Sequence, residues 1–313
     1  MIFSDFGMDT ASLAGPLDGK LAAVQRAGFS QVMISASDVV GHPGGLAAGV
    51  RAVRDSGLAV TGLEALRDFE GCDSRLRSYK VDVAKSMLEV CSEIGGRLLL
   101  VEASTSSHAD ANAEAMIRDL RMLAVQAIPL GIRIAFKGVS WSRTVRDFAA
   151  AGELVFRADC PNLGLAIDAF DVLGARMPLG DLEALDPEHI FLVQLSDYMW
   201  PKIQSAEEQA ATATHFRVFP GEGAHSEDLA TFVKKLDAIG YDGNYSFDVY
   251  NDDYQQMPPE TVVNRARRAA EWLVETVLRR ALPVPNMERL QHAGRDRDAL
   301  IALNPLAEKT QKV

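Results

Sequence analysis

The sequence predicts an α/β protein with a single (β/α)8 domain, the TIM-barrel fold class, from three observations. Eight short β-rich runs alternate in order with amphipathic helical stretches along the chain. The segment after the first predicted strand, FGMDTASLAG, lacks the GxGxxG loop that is common in open doubly wound sheets. The length, 313 residues, suits a barrel of about 250 residues with insertions. We assign residues 1–282 to the barrel and 283–313 to a C-terminal extension.

The predicted strands are short and several are apolar almost throughout, such as RLLLVE, LGLAID and IFLVQL. This composition is typical of parallel strands that are covered on both faces. The predicted strands are Ile2–Gly7, Gln31–Ser35, Leu58–Leu66, Arg97–Glu102, Ile132–Phe136, Leu163–Asp168, Ile190–Leu195 and Tyr245–Tyr250.

Amphipathic stretches between the strands predict helices, and glycine-containing segments such as Ala-Gly-Phe and Ile-Gly-Gly predict their ends. A short helix is expected after the sixth strand. Residues Tyr198–Phe216 are predicted to be long and irregular, and such loops often act as lids. The longer predicted helices are Leu17–Ala27, Gly44–Ser56, Asp73–Ile94, Ala109–Ile128, Ser142–Ala158, Asp228–Ile239 and Pro259–Arg280.

Composition excludes several classes of partner. The formal charge is −11 and no basic stripe is present, which argues against nucleic acid or an anionic membrane as a partner. No apolar run approaches the roughly 20 residues that span a bilayer. Cys72, Cys91 and Cys160 are odd in number and show no CxxC spacing, and the N-terminus resembles no signal peptide. We therefore expect a cytoplasmic protein with a small-molecule substrate.

Polar residues terminate the apolar strands, and the carboxyl ends of barrel strands form the mouth where TIM-barrel active sites lie. Asp, Asn and Ser also cap helices and begin turns, so each alone means little. Lys137 and Gln194 are not favoured caps, which points to a functional set. The set is Glu64, Arg67, Asp68, Glu102, Ser104, Lys137, Asp168, Asp171, Gln194, Asp197, Asp248 and Asn251.

Distinctive motifs over most of residues 1–280 carry a family resemblance. They include LRDFEG (66–71), LLLVEAS (98–104), PNLGLAIDAFDVL (161–173), HFRVFPGEG (215–223) and YDGNYSFDVYND (241–252). These stretches resemble the xylose isomerase-like sugar phosphate isomerase/epimerase superfamily, and within it bacterial 3-dehydroshikimate dehydratases. The resemblance implies a TIM barrel, a homo-oligomer, and one divalent cation held at the ends of strands five to eight by Glu, Asp, His or Gln, and a second Glu.

The chain departs from that implied ligand set. The four positions hold Lys137, Asp168, Gln194 and Asp248, and a lysine ammonium has donors only, so it cannot ligate a metal. Three carboxylates and a divalent cation give the family site a formal charge of −3 + 2 = −1. Asp168, Asp248 and the Lys137 ammonium give this site the same charge, −2 + 1 = −1. We therefore expect no metal cofactor, with the ammonium in the place of the ion. The alternative is a divalent metal (Mn, Mg, Co or Zn) on Asp168, Gln194 and Asp248, with an outside ligand such as Glu102.

Lys137 is expected to be protonated and to stabilise an enolate or carboxylate or to donate a proton. Neighbouring carboxylates disfavour the neutral amine that a Schiff base needs. A structural salt bridge is the alternative. The candidate catalytic residues are Lys137, Glu102, Asp168, Asp248 and His215. The candidate substrate-binding residues are Arg67, Gln194, Arg217, Asp171, Trp141 and Trp200.

Each of these residues also has a structural interpretation. Arg217 could simply pair with Glu222, and Arg67 could order its own loop. The tryptophans could be packing residues, and a lone histidine is more often on the surface or structural.

The expected function is that of a lyase or isomerase on a small carboxylated, oxygenated ring or polyol. The resemblance implies a reaction like that of 3-dehydroshikimate dehydratase, here without a metal. One alternative is a metal-independent lyase or decarboxylase that acts on an aromatic catabolite. Another is a non-catalytic barrel that binds a small molecule, which a mouth filled by Trp200 or by the C-terminal tail would favour.

Overall fold

The computed structural model describes residues 1–280 and confirms the predicted fold class, a closed barrel of eight parallel strands. The barrel strands are β1 (Phe6–Asp9), β2 (Gln31–Ser35), β3 (Ala59–Arg67), β4 (Leu98–Glu102), β5 (Arg133–Lys137), β6 (Leu163–Asp168), β7 (Ile190–Leu195) and β10 (Tyr245–Phe247). They neighbour one another in the order β1-β10-β7-β6-β5-β4-β3-β2. The predicted extension, residues 283–313, lies outside the described residues.

Helices surround the barrel, and two short strands lie beyond it. Strands β8 (Asp197–Tyr198) and β9 (Arg217–Val218) pair antiparallel. The helices are α1 (Leu17–Arg26), α2 (Ala36–Val40), α3 (Leu46–Asp55), α4 (Arg77–Glu93), α5 (Ala113–Ala127), α6 (Phe148–Ala158), α7 (Ala169–Gly174), α8 (Ala206–His215), α9 (Ser226–Ala238) and α10 (Pro259–Glu271), which continues into a π-helical turn, Trp272–Val277. No helix of residues 1–280 combines the length and apolar character that crossing a bilayer requires.

Two apolar layers hold the barrel together. One small cluster fills the lower barrel interior and includes Leu98, Leu100, Ala135, Ala166 and Leu192. The alternate side chains of the same strands join a larger cluster between the sheet and the helices. Because side chains alternate between the two faces of a strand, an apolar run buries both faces at once.

Several predicted segments differ from the structure in their bounds or in their type; for example, the last strand ends at Phe247 and not at Tyr250, and the helix predicted from Ser142 begins at Phe148. Two of the differences bear on the site. Residues Phe3–Asp5 form a 3-10 turn, in which Asp5 Oδ2 accepts a hydrogen bond from the backbone N–H of Ile2 at 2.6 Å, so β1 begins only at Phe6. The stretch predicted to be irregular contains α8, which is capped at Ser205. Ser205 Oγ accepts from the Glu208 N–H at 3.2 Å, a helix start typical of Ser followed three residues later by Glu.

Candidate active site at the barrel mouth

Strand alternation places four polar side chains on top of the apolar barrel interior. Each follows an interior apolar residue by two positions and therefore points to the same side of its strand. Register aligns Glu102 with Lys137 on neighbouring strands, and Asp168 with Gln194. The four polar residues and the interior residues two positions before them are Glu102 after Leu100, Lys137 after Ala135, Asp168 after Ala166, and Gln194 after Leu192.

Lys137 lies at the centre of this polar layer and is 2% exposed. Its Nζ is 2.8 Å from Gln194 Oε1, 3.0 Å from Glu102 Oε1 and 3.4 Å from Asp168 Oδ2. An ammonium has three N–H donors, so these three protein oxygens account for all of them. Lys137 therefore organises its neighbours, and it does not line the cavity above.

Gln194 links Lys137 to a carboxyl group that the sequence analysis missed. The Gln194 side chain accepts from Lys137 through Oε1 and donates through Nε2 to Asp9 Oδ2 at 3.0 Å. Asp9 also accepts a short hydrogen bond from Ser246 Oγ. Asp9 was missed because the first strand was predicted to end at Gly7, two residues before the true strand end.

Arg217 is the second buried cation and comes from β9. Its Nη1 lies 2.9 Å from Asp168 Oδ2 and 3.1 Å from Asp248 Oδ2, so it bridges two carboxylates. The guanidinium also lies over the Phe170 ring at 4.6 Å, and its Nε donates to the Ala213 carbonyl of α8 at 3.1 Å. The alternative pairing of Arg217 with Glu222 is wrong, because Glu222 pairs with Arg265 at 3.2 Å instead.

A cavity of about 460 Å³ opens above this layer. Of the predicted site residues, five line it: Arg67, Glu102, Trp141, Arg217 and Asp248. Glu64, which the sequence analysis placed among the strand ends without a role, lines it as well. Ala213 and Thr214 of α8 also face it, so part of the segment predicted as a lid does border the site.

The cations set the ionisation of the carboxylates around Lys137. Burial disfavours the Lys137 ammonium, but Glu102 and Asp168 outweigh it and raise the pKa of Lys137. Burial likewise opposes ionisation of Glu102, yet Lys137 and Arg67 hold the pKa of Glu102 at about 2. The Arg217 pKa is raised by Asp168 and Asp248 against the cost of burial. This side of the mouth is therefore a fixed array of charges at neutral pH.

The other side of the mouth holds two carboxyl groups, Asp9 and Glu64, that form no ion pair within residues 1–280. Burial and then the charge of Asp248 raise the pKa of Glu64 to about 8. Burial and then Glu64 raise the pKa of Asp9 well above its ordinary value. The interaction with Glu64 is itself one cause of the raised pKa of Asp9, so the pair retains a proton at neutral pH.

Several predicted site residues lie away from the cavity. Asp171 is buried, its Oδ1 accepts from the Ser140 N–H at 2.8 Å, and burial followed by Asp168 raises the pKa of Asp171 to about 7. His215 is 3.1 Å from Asp252 on the surface. Trp200 donates to Thr212 Oγ1 at 3.1 Å and lines a separate surface depression. Asp168, which lies below the cavity floor, caps α7 through Oδ1.

The arrangement does not fit a divalent cation. The atoms that would serve as ligands, Asp168 Oδ2, Gln194 Oε1 and Asp248 Oδ2, already bind Lys137 or Arg217. Within residues 1–280, no group of three or more His, Cys, Asp and Glu side chains is arranged to hold an ion. An incoming cation would have to displace two buried positive side chains from these oxygens.

Fold and site together define a TIM barrel whose polar site is built at the carboxyl ends of its strands. The sequence pattern of the family described as xylose isomerase-like TIM barrel matches residues 21–276. The chain therefore belongs to this family, which confirms the resemblance read from its motifs.

Curated relatives within this family are enzymes. The chain is 34% identical over 249 residues to a 3-dehydroshikimate dehydratase of Pseudomonas aeruginosa, which covers 80% of this chain and 38% of that protein. It is 24% identical over 210 residues to an inosose isomerase of Bacillus subtilis, covering 66% and 73% of the two chains. The chain thus spans well under half the length of the dehydratase it matches.

Solved structures support the same fold. A xylose isomerase-like TIM barrel/4-hydroxyphenylpyruvate dioxygenase fusion protein superposes with a TM-score of 0.81 at 30% identity, covering 89% of this chain and 44% of that one. The IOLI protein, solved with a zinc atom, superposes with a TM-score of 0.74 at 20% identity, covering 87% and 98%. The second likeness establishes the fold alone.

Proposed function

We propose that this barrel is a lyase that removes water from a small carboxylated, oxygenated ring, by proton abstraction beside a carbonyl group. The observation that carries the proposal is the cavity, in which the Asp248 carboxylate and the guanidinium groups of Arg217 and Arg67 converge. Its volume, about 460 Å³, suits a small ring compound.

Arg67 is suited to bind the carboxylate of such a substrate. Its Nε donates to Glu102 Oε2, which orients the side chain, and no hydrogen bond within residues 1–280 engages its two terminal nitrogens. The side chain is 71% exposed at the cavity wall. A planar guanidinium with free N–H groups binds a carboxylate through two parallel hydrogen bonds.

Asp248 and Arg217 supply a base and an electrophilic group. Arg217 engages Asp248 Oδ2, and no hydrogen bond within the described chain engages Oδ1, so that oxygen is available to accept a proton from carbon. The Arg217 Nη2 group likewise has no hydrogen-bond partner in residues 1–280, whereas Nη1 and Nε do. A buried guanidinium N–H aimed at a developing enolate oxygen stabilises it.

In this proposal the reaction proceeds without a metal. Lys137 and Arg217 supply positive charge where relatives could hold an ion, and Lys137 acts through the carboxylates that it positions. Its raised pKa keeps it an ammonium, which is not a nucleophile and forms no Schiff base.

Catalysis is favoured over simple binding by the connection between the polar groups. Hydrogen bonds and ion pairs run from Arg67 through Glu102 and Lys137 to Asp168 and Arg217. Trp200 lies outside the cavity, so it does not fill the mouth. The relatives' names add two substrates to test, 3-dehydroshikimate and an inosose.

The test is turnover of both compounds by the purified chain, with and without a chelator. We expect loss of water from 3-dehydroshikimate at the same rate in both conditions, and no turnover of the inosose, which has no carboxylate for Arg67. Dehydration that requires added cation, or one equivalent of Mn, Mg, Co or Zn in chelator-free protein, would overturn metal independence. Turnover of the inosose alone would replace the lyase with an isomerase.

A further inference from the structure

Glu64 and Asp9 form a buried pair of carboxyl groups that the roles assigned so far do not use. Glu64 is 8% exposed and Asp9 is fully buried. They come from β3 and β1, which lie on either side of β2 in the barrel. Only Glu64 of the two lines the cavity.

The surroundings of the pair require a shared proton. Among the described residues, Glu64 Oε1 is buried and no protein donor hydrogen-bonds to it. Asp9 accepts from Gln194 Nε2 and Ser246 Oγ, so both donors near the pair point to Asp9. Two neighbouring carboxyl groups that are shielded from water do not both ionise readily, because neither forms an ion pair within residues 1–280 and Lys137 offsets only part of their repulsion.

Other charged groups face Glu64 from several strands. Asp248 from the β10 end and Glu102 from β4 favour a proton on Glu64, whereas Lys137 from β5 and the interaction with Asp9 oppose it. Arg67, on the same strand as Glu64, also interacts with its charge. Burial has the largest effect, and the net result is a pKa of about 8. Glu102, on the same cavity wall, is held ionised by two cations and has no proton to give.

From this geometry we infer that Glu64 is the general acid of the site, with Asp9 as the residue that positions its proton. The inference rests on the proposed dehydration. Asp248 takes the proton from carbon, and the electron pair of that C–H bond forms the new C=C bond. The bond from the neighbouring carbon to its hydroxyl oxygen breaks with its electrons on oxygen, and the Glu64 proton joins that oxygen to give water. Solvent exchange then returns a proton from Asp248 to Glu64.

The first measurement is independent of any substrate. The full chain is labelled with ¹³C at the glutamate side-chain carboxyl carbons, and its NMR spectrum is followed against pH. Resonances are assigned from Glu64→Gln and Glu70→Gln, because Glu70 is another fully buried carboxyl, whose pKa burial raises to about 8, and it does not line the cavity. We expect a midpoint for Glu64 near 8. An ordinary midpoint near 4.5 would overturn the inference.

The second measurement is turnover of 3-dehydroshikimate against pH. In the wild-type chain kcat/KM should fall as pH rises above about 8, where Glu64 loses its proton. Glu64→Gln should lower kcat by about 10²-fold or more, change KM little and remove that alkaline limb. Glu70→Gln should keep both the rate and the limb. An unchanged kcat and limb in Glu64→Gln would refute the role of Glu64.

The two measurements separate the inference from the function that it rests on. If the wild-type chain does not dehydrate 3-dehydroshikimate but Glu64 titrates near 8, the proposed reaction fails, and the acid role falls with it, while the shared proton stands. If dehydration occurs but Glu64 titrates normally, only the inference about Glu64 fails.

Discussion

The two sides of the barrel mouth stabilise buried carboxyl groups in different ways, one by ion pairing and the other by retention of a proton. Around β4 to β7, Glu102 and Asp168 contact the ammonium of Lys137. Around β1 and β3, Asp9 and Glu64 interact with each other, and neither forms an ion pair in the part of the chain that the structure describes. All four side chains belong to the same barrel end, yet the pKa of Glu102 is about 2 and that of Glu64 is about 8.

This difference shows how one fold can supply both fixed charge and a mobile proton. A carboxylate paired with a cation stays ionised over the working pH range and stabilises developing charge without changing its own state. A buried carboxyl without a cation keeps a proton near neutral pH and can transfer it. The position of one lysine therefore divides the mouth into two chemical regions.

The largest expected effect comes from replacing Lys137, on which the charged side of the mouth depends. Lys137→Met leaves Glu102, Asp168 and Gln194 without their shared donor in a buried layer. Because breaking one partner of a buried ion pair leaves uncompensated charge, we expect the free energy of unfolding to fall by about 3–5 kcal/mol, with loss of turnover. Urea denaturation measures the first effect.

The matched control for this substitution is Lys235→Met. Lys235 pairs with Glu183 at the surface, so its loss should cost no more than about 1 kcal/mol. A cost for Lys137→Met as small as that of the control would show that Lys137 is not the centre of the charged layer.

The sequence was sufficient to predict the fold and the positions of Lys137 and Asp168 at the ends of their strands. Strand runs such as LGLAID are apolar on both faces and end in a polar residue, so the barrel and the interior positions of Lys137 and Asp168 follow from period-two alternation. The family position of Lys137 led us to expect it between Asp168 and Asp248, whereas it contacts Asp168 and Glu102, and Asp248 pairs with Arg217 instead.

The proton-bearing side could not be predicted in the same way. Asp9 was hidden by the 3-10 turn at Phe3–Asp5, whose local hydrogen bond shifts the strand end by two residues. Glu64 was noted at a strand end, but its contact with Asp9 joins residues 55 positions apart in sequence, on strands that are not neighbours. Spacing alone also gave no sign that His215 turns outward to Asp252.

A prediction with an intermediate expected effect concerns Glu70, a second buried carboxyl group that retains its proton. Glu70 is fully buried, and burial raises its pKa from 4.5 to about 8. Because the folded pKa lies above the unfolded one, Glu70 favours the folded state fully below pH 4.5, and this contribution is lost as pH rises to about 8. One such group lowers the free energy of unfolding by up to about 1.4 kcal/mol per pH unit in that window.

The variant Glu70→Gln should therefore flatten the fall in stability over this window, as measured by urea denaturation at successive pH values. Its amide oxygen can still accept the hydrogen bond that Glu70 Oε1 takes from the Ser104 N–H at 2.5 Å. Glu89→Gln, on an exposed position of α4, should leave the slope unchanged. Equal slopes for the wild-type chain and Glu70→Gln would mean that Glu70 is ionised in the folded protein.

The smallest expected effect concerns His215, which the sequence analysis offered as a catalytic residue. Its Nδ1 is 3.1 Å from Asp252 Oδ1, and the side chain is 45% exposed outside the cavity. His215→Ala should change the free energy of unfolding by no more than about 0.5 kcal/mol and kcat/KM by less than about twofold. A loss of tenfold or more, about 1.4 kcal/mol of transition-state stabilisation, would place a proton-transfer group outside both regions of the mouth. The fixed charges around Lys137 and the proton of the Asp9–Glu64 pair would then not account for all of the proton transfer in the reaction.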